Sequence, residues 1–141
     1  MAIMTTANVG KFSQPWSIFR PGVRVGVEPG TTGAEFAARE LKEAKVTFLA
    51  NPAAAFAALR KNAIDLYIHD APTSWQLATA SENGDLISLY APLTHEKLAW
   101  AVRKDDARLA TSLNDALRTM QGNGSLQYIL NRWIPVTVEV R

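Results

Sequence analysis

The sequence predicts an α/β fold in three layers, with helices on both faces of a mainly parallel sheet. Short apolar runs alternate with amphipathic segments in the order strand–helix–strand–helix–strand–helix–strand. Capping residues and turns separate these segments, so that each run is bounded on both sides. Strands that follow one another through a helix pair in parallel, with right-handed crossovers. The length of 141 residues suits one compact domain.

Each predicted element rests on its own spacing and its own boundary residues. Thr32 with Glu35 matches a capping box at the start of the first helix. Asn51 is expected to cap the second helix, with Pro52 in its first turn. The predicted elements are, in chain order, strand 23–27, helix 32–43, strand 45–50, helix 52–62, strand 64–70, helix 71–80, strands 86–93 and 97–103, helices 106–120 and 126–133, and strand 136–141.

The chain is expected to fall into three segments. Residues 1–20 are irregular and resemble a loop or an edge segment. Residues 20–95 form the main α/β lobe, and residues 96–141 contain a further strand and the last two helices. The first ten residues have no charged n-region and no long apolar h-region, so they are not expected to be a signal peptide.

Composition excludes several classes of function. The net charge is only +2 and the basic residues are scattered, which gives no stripe for nucleic acid. The chain has no cysteine, which excludes disulfides, thiolate catalysis and thiolate zinc sites. No apolar run reaches the length of a membrane span. No His, Asp or Glu group has metal-ligand spacing, and no cofactor is expected.

The turn after the first strand is a candidate anion-binding site. Gly30 lets the backbone turn, and the N–H groups of Thr31, Thr32 and Gly33 are expected to be free at the start of a helix. The helix dipole favours an anion there, and the two threonine hydroxyls are potential further donors. A simpler interpretation is an ordinary capped helix.

A carboxylate is expected at the same edge of the sheet. Asp70 ends the strand 64–70, and ligands of open α/β sheets bind at the carboxyl ends of the strands. A carboxylate there can hold an ammonium group. The alternative is that Asp70 only caps the following helix. Together, the turn and Asp70 match the two charged ends of an α-amino acid.

Several ordered motifs resemble a known family. "FSQPW", "VRVGVEPGTTG", "IDLYIHDAP", "PLTHEKLAWAVRKDD" and "LNDALRTMQGNGSLQYILNRWIP" are similar to the second half of the family 3 bacterial extracellular solute-binding proteins. These proteins serve ABC importers of polar amino acids. The resemblance covers nearly all of residues 12–135. It implies a lobe of the type 2 periplasmic binding protein fold, with residues 20–95 as the ligand-binding lobe.

The resemblance also implies roles for individual residues. Thr32 falls where the family contacts the ligand carboxylate, and Thr31 and Gly33 flank it. Glu28 falls where a residue lines the pocket. Asp70 falls where the family's aspartate holds the α-ammonium group. A periplasmic location, an ABC transporter permease as partner and no catalytic residue are implied in the same way.

The family's first lobe has no counterpart in the sequence. That lobe brings ligand-stacking aromatic residues and a carboxylate-clamping arginine, and the stretch "TTANVGK" contains no arginine. A trap that closes between two lobes therefore cannot operate within this chain alone.

Two other functions stay open from the sequence. Relatives of this fold include cyclohexadienyl dehydratases and regulatory lobes of larger enzymes, although no G-x-S-x-G, His-Glu-x-x-His or Walker motif is present. Alternatively, the chain dimerises through the apolar surface that the missing lobe would cover. The candidate residues for that surface are Trp16, Ile18, Phe19, Trp100 and Trp133.

Overall fold

A five-stranded sheet organises the first unit of the chain. The computed structural model describes residues 1–89, 91–95 and 97–133, and the chain divides into two units, Met1–His95 and Glu96–Arg141. The strands are β1 (Ala2–Thr5), β2 (Arg24–Val27), β3 (Lys45–Phe48), β4 (Leu66–Ile68) and β5 (Leu86–Ser88). Their order across the sheet is β3-β2-β4-β1-β5.

The sheet is mainly parallel, as the sequence predicts. Strand β2 pairs in parallel with β3 on one side and with β4 on the other. Strand β1 pairs antiparallel with both β4 and β5. Among the described strands, four therefore run in one direction, and β1 runs in the other.

Strand β1 was not expected, because the first twenty residues were predicted to be irregular. Ala2, Ile3 and Met4 are fully buried or nearly so. Their side chains alternate between the two faces of the sheet, with Ile3 on one face and its neighbours on the other. Four residues are too few to show a reliable period, and the partner strands lie more than sixty residues further along the chain. No local signal therefore marks this segment as a central strand.

Helices cover both faces of the sheet. They are α1 (Thr32–Glu40), α2 (Pro52–Arg60) and α3 (Ala71–Thr79) in the first unit. Side chains of α1 pack in one apolar cluster with β2 and β4, while side chains of α2 pack on the opposite face around Ile3 and Tyr67, and Leu77 of α3 joins that second cluster. The predicted three-layer arrangement is confirmed.

The three helices begin at capped residues. The Thr31 and Asn51 side chains each accept a hydrogen bond from the backbone N–H three residues later. The expected capping box at Thr32 and Glu35 is wrong by one residue, because Thr31 has the extended backbone of the N-cap (φ −103°, ψ 157°). Glu35 then lies one position too far along the helix to complete the box.

An ion pair fixes β2 against β4 at the end of the sheet where both strands begin. The Arg24 guanidinium donates from Nη2 to Asp65 Oδ1 at 2.6 Å and from Nε to Asp65 Oδ2 at 3.0 Å. The Arg24 backbone N–H donates to Asp65 Oδ2 at 2.9 Å. Because these bonds hold one end of the register, they also determine which residues meet at the other end.

The second unit contains two helices, α4 (Ala107–Gly122) and α5 (Ser125–Trp133). Asp106 caps α4 by accepting from the Leu109 N–H at 2.9 Å. No described residue of either helix is buried. Among residues 97–133 no helix is both long and apolar enough to cross a membrane, and the same holds for the described part of the first unit.

The three strands predicted after residue 85 have different outcomes. The strand expected at 97–103 is wrong, because these residues have no regular structure. A strand needs a partner for its backbone groups, and no strand occurs in the described residues 97–133. The strand expected at 136–141 lies outside the described residues. Strand β5 ends at Ser88, five residues before the predicted end.

Candidate ligand-binding site

The candidate site lies where β2 and β4 end side by side. Val25 is opposite Leu66, and Gly26 is opposite Tyr67. If the register is extended by two residues beyond the pair of Gly26 and Tyr67, Glu28 lies beside His69. The loop to α1 leaves from the end of β2, and α3 starts directly after β4. This is the carboxyl edge of the parallel strands, where ligands of open α/β sheets bind.

The start of α1 offers two free backbone donors. In the described chain, the N–H groups of Thr32 and Gly33 have no hydrogen-bond partner, as expected for the first turn of a helix. Gly30 has φ +74°, a conformation that favours glycine, and it turns the backbone into the helix. Together with the helix dipole, these donors favour an anionic group.

The Thr31 hydroxyl is already in use, contrary to expectation. It donates to the Glu28 carbonyl oxygen at 2.8 Å and accepts from the Ala34 N–H at 3.2 Å. Its single hydrogen is therefore not available to a ligand. The Thr32 side chain is exposed and remains a potential donor. Thr31 shapes the turn, whereas the Thr32 hydroxyl faces solvent.

Gly33 places the first turn of α1 directly against the end of β4. A Cβ atom at Gly33 would lie 3.1 Å from Ile68 Cγ2 and 3.3 Å from the Ile68 carbonyl oxygen. Such distances are shorter than ordinary van der Waals contact. Because His69 and Asp70 follow Ile68 directly, the absence of a side chain at Gly33 keeps the donor turn close to the carboxylate.

Asp70 caps α3 and still presents its carboxylate to solvent. Its Oδ2 accepts from the Thr73 N–H at 3.1 Å, and 44% of the side chain is exposed. Burial alone would raise the pKa of Asp70, but hydrogen bonds from the Thr73 side chain and backbone, with the charge of His69, lower it overall. The simpler interpretation of Asp70 as a cap is therefore correct, and the carboxylate is also ionised and accessible.

A polar network that the sequence reasoning missed joins Glu28 to Asp70. The Tyr67 hydroxyl donates to Glu28 Oε1. His69 Nε2 lies 3.6 Å from the same oxygen, and His69 Nδ1 is in close contact with Asp70 Oδ1. The His69 and Tyr67 rings are 5.6 Å apart. The imidazole therefore stands between two carboxylates at the edge of the sheet.

Tyr67 stays protonated in this network. Its side chain is fully buried, and this burial, followed by the hydrogen bond to Glu28, raises the pKa of Tyr67 far above its usual value. The phenol is thus a fixed donor to Glu28. The alternation in "YIHD", which puts Tyr67 and His69 on one face of β4, is the sequence signal that points to this pair.

The structure brings the predicted site residues together in part. Glu28 and Asp70 are linked through His69, and Glu28 is linked to Thr31 through its carbonyl oxygen. No hydrogen bond joins Asp70 to Thr31, Thr32 or Gly33 in the described residues. The donors and the carboxylate occupy one rim as separate groups, with the end of β4 between them.

Comparison with known proteins identifies relatives of the chain. An ABC transporter glutamine-binding protein from Bacillus subtilis is 29% identical over 113 residues, which make up 80% of this chain and 41% of the relative. No protein-family profile matches the chain.

Solved structures agree with this relationship. An ancestral amino acid-binding protein, described as a precursor of cyclohexadienyl dehydratase, has a TM-score of 0.77 and 27% identity, and the match covers 94% of this chain and 55% of that protein. A binding component of an ABC transporter from Wolinella succinogenes, complexed with lysine, has a TM-score of 0.82 and 24% identity over 96% of this chain and 58% of that chain. The latter similarity shows the fold alone.

The fold and its rim define an open α/β lobe of the type found in periplasmic binding proteins. The predicted resemblance is confirmed, because the curated relative and the structural neighbours are amino acid-binding proteins of the family 3 ABC solute-binding type. The chain spans about half the length of the relatives that it matches.

Proposed function

We propose that the chain recognises a small amino acid-like solute as part of the binding component of an ABC importer. The observation that supports this most directly is the juxtaposition at the carboxyl ends of β2 and β4. There, the free N–H groups of Thr32 and Gly33 and the carboxylate of Asp70 share one rim. An anion-binding turn and a cation-binding carboxylate on one rim match the carboxylate and the ammonium group of an α-amino acid.

Each residue has a distinct role in this proposal. The ligand carboxylate accepts hydrogen bonds from Thr32 and Gly33. The ligand ammonium group donates to Asp70, whose lowered pKa keeps the carboxylate ionised. The relatives act with ABC transporters, which supports a permease as partner and a location outside the cytoplasmic membrane.

Binding is measured by calorimetry with L-glutamine and L-lysine as probes, and Asp70 is tested with two substitutions. Asp70→Ala removes both the charge and the helix cap, whereas Asp70→Asn keeps a capping side chain and removes only the charge. Both variants are expected to lose about 2–5 kcal/mol of binding free energy if a buried ammonium group is paired.

The two variants should differ in stability. Asp70→Ala is expected to lower the free energy of unfolding by about 1 kcal/mol, and Asp70→Asn by less. If Asp70→Asn bound either probe as tightly as the unsubstituted chain, the proposed role of Asp70 would be wrong.

Recognition without catalysis is part of the same proposal. The relatives include a precursor of a cyclohexadienyl dehydratase, so that activity is the enzymatic alternative. Turnover of prephenate or arogenate by the purified chain, lost in a Glu28→Gln or His69→Gln variant, would favour the dehydratase over the binding protein.

A second candidate function is self-association through the second unit. Ile18, which was expected at an open apolar surface, is instead fully buried in the core. In the second unit, Leu98, Trp100, Tyr128 and Trp133 are all more than half exposed, and no described residue of α4 or α5 is buried. We propose a second copy of the chain as the partner, because the same apolar patch on two copies can pack together around a two-fold axis and remove both patches from water. Light scattering at increasing concentration should then show a dimer; a monomer throughout the range would exclude it.

A further inference from the structure

We infer that Glu28 is a specificity-determining residue, and that the site prefers ligands that carry a second cationic group. This inference rests on the proposed function and deepens it by naming the class of ligand. The amino acid head group occupies Thr32, Gly33 and Asp70, whereas Glu28 is a second carboxylate at the end of the neighbouring strand. A zwitterion with a neutral side chain uses only one of the two carboxylates.

The Glu28 side chain is held in place and is largely buried. Only 21% of it is exposed. Its Oε1 accepts a hydrogen bond from the Tyr67 hydroxyl, which keeps its proton because Tyr67 is buried beneath it. Its Oε2 has no hydrogen-bond partner among the described residues. One oxygen therefore orients the carboxylate, and the other is available.

The side chains at the rim carry more acidic than basic groups. Glu28 and Asp70 contribute two carboxylates, and His69 is the basic side chain that lies between them. The Met1 ammonium group is also close by, where it donates to the His69 carbonyl oxygen. The arginines of the first unit that form ion pairs are used elsewhere: Arg24 with Asp65, Arg39 with Glu40, and Arg60 with Asp85. No lysine or arginine of the described chain forms an ion pair with Glu28 or Asp70.

This imbalance favours one class of ligand over others. A second ammonium or guanidinium group would neutralise Glu28 and form a charge-assisted hydrogen bond with its free oxygen. A neutral amide side chain gains a weaker bond at the same position. A side-chain carboxylate meets Glu28 as a like charge, which is unfavourable in a largely buried setting. The expected order of affinity is therefore cationic, then neutral, then acidic amino acids.

Calorimetry with L-lysine, L-glutamine and L-glutamate on the full 141-residue chain tests the order. The unsubstituted chain should bind lysine most tightly and glutamate least. Glu28→Gln should weaken lysine binding by about 10- to 100-fold, the effect of losing one bond to a charged group, while glutamine binding changes much less. Glu43→Gln removes an exposed carboxylate away from the rim and should leave all three affinities unchanged.

The possible results separate this inference from the proposed function. If glutamine binds and is sensitive to Asp70→Asn, but Glu28→Gln leaves the ratio of lysine to glutamine affinity unchanged, the role of Glu28 is wrong and the proposed function stands. If none of the three probes binds the unsubstituted chain, both are overturned. Circular dichroism spectra that match the unsubstituted chain show that the Glu28→Gln variant is folded.

Discussion

At the scale of single residues, Gly33 joins the two halves of the candidate site. Its hydrogen atom occupies the space that a methyl group would need beside Ile68, so the turn of α1 and the end of β4 lie in direct contact. A rigid carbonyl oxygen is one of the two close atoms, and a backbone atom cannot rotate away as a side chain can. The distance between the donor turn and Asp70 therefore depends on this glycine.

Gly33→Ala is expected to lower the free energy of unfolding by about 1–3 kcal/mol, the usual cost of overpacking, and to weaken binding of the amino acid probes. Urea denaturation and calorimetry measure the two effects. Gly10→Ala is the matched control, because a Cβ atom at Gly10 would meet nothing within 4 Å. Equal stability of the two variants would show that the contact at Ile68 relaxes without cost.

Asp65 should make the free energy of unfolding of the chain depend on pH in the acid range. The hydrogen bond from Arg24 lowers the pKa of Asp65 in the folded state, although burial opposes the shift. An unfolded aspartate titrates near pH ~4, so the stabilisation is complete above that pH and is lost as the pH falls through the lower, folded value. Unfolding by urea between about pH 7 and about pH 3 should show this loss, and Asp65→Asn should reduce its slope.

Asp85 is a suitable comparison for Asp65. Its ion pair with Arg60 has both side chains more than 40% exposed, and exposed pairs contribute little because water and salt screen them. Asp85→Asn should therefore change the pH dependence less than Asp65→Asn. The reverse order would mean that the partly buried pair of Arg24 and Asp65 does not stabilise the sheet.

The positions of some residues of the candidate site could be predicted from the sequence, whereas the contacts of others could not. The position of Asp70 at the rim was predictable because it ends an apolar run, and the carboxyl ends of the strands lie at that edge of the sheet. The contacts of Glu28 with Tyr67 and His69 were not, because they depend on the register between strands some forty residues apart. The free hydroxyl expected for Thr31 was also wrong, since the position of a cap can shift by one residue without changing the local pattern.

At the scale of secondary-structure elements, the side chain of a single cap residue, Thr31, holds the start of α1. The Thr31 hydroxyl ties the helix start to the last carbonyl before the turn, on Glu28, through two hydrogen bonds. The cap thus sets both the first turn of the helix and the backbone that carries Glu28.

Thr31→Ala should lower the free energy of unfolding by about 0.5–2 kcal/mol, as for other lost caps. Thr32→Ala, at the next position, removes a hydroxyl that has no partner in the described chain and should change stability by less than about 0.5 kcal/mol. Thermal and chemical denaturation of both variants measure the difference. A larger cost at Thr32 would place the cap at the residue first predicted.

Elements with local signals were predictable, and those that depend on distant partners were not. Asn51 with Pro52 marks the start of α2 in the sequence as in the structure. The predicted strand 97–103 contains a continuous apolar run from Leu98 to Val102, but an apolar run alone cannot supply a strand with a neighbour to pair with. Strand β1 is the opposite case, since it has neighbours on both sides but too few residues for a pattern.

At the scale of the whole molecule, the first residues of the chain complete the sheet. Strand β1 lies between β4 and β5, and it is the strand that joins β5 to the rest of the sheet. Ile3 is completely buried there, whereas Ile87 on the adjacent β5 is 42% exposed. Both are isoleucines in neighbouring strands, so they differ mainly in burial.

Ile3→Ala should cost about 2–5 kcal/mol of unfolding free energy, the range for a large-to-small change in a core. Ile87→Ala should cost less, because the 42% of Ile87 that stays exposed gains no transfer free energy on folding. Urea denaturation of both variants tests the comparison. Similar costs would mean that β1 does not belong to the stable sheet in solution.

The position of β1 has a practical consequence for any binding measurement. The Met1 ammonium group donates to the His69 carbonyl oxygen at 2.5 Å, and the His69 N–H donates to the Met1 carbonyl oxygen at 3.0 Å. A purification tag fused ahead of Met1 would therefore emerge beside His69, next to both carboxylates of the rim, and a polyhistidine tag would bring further imidazoles to an acidic edge. Affinities measured with such a tag in place would report on the tag as well as on Glu28 and Asp70.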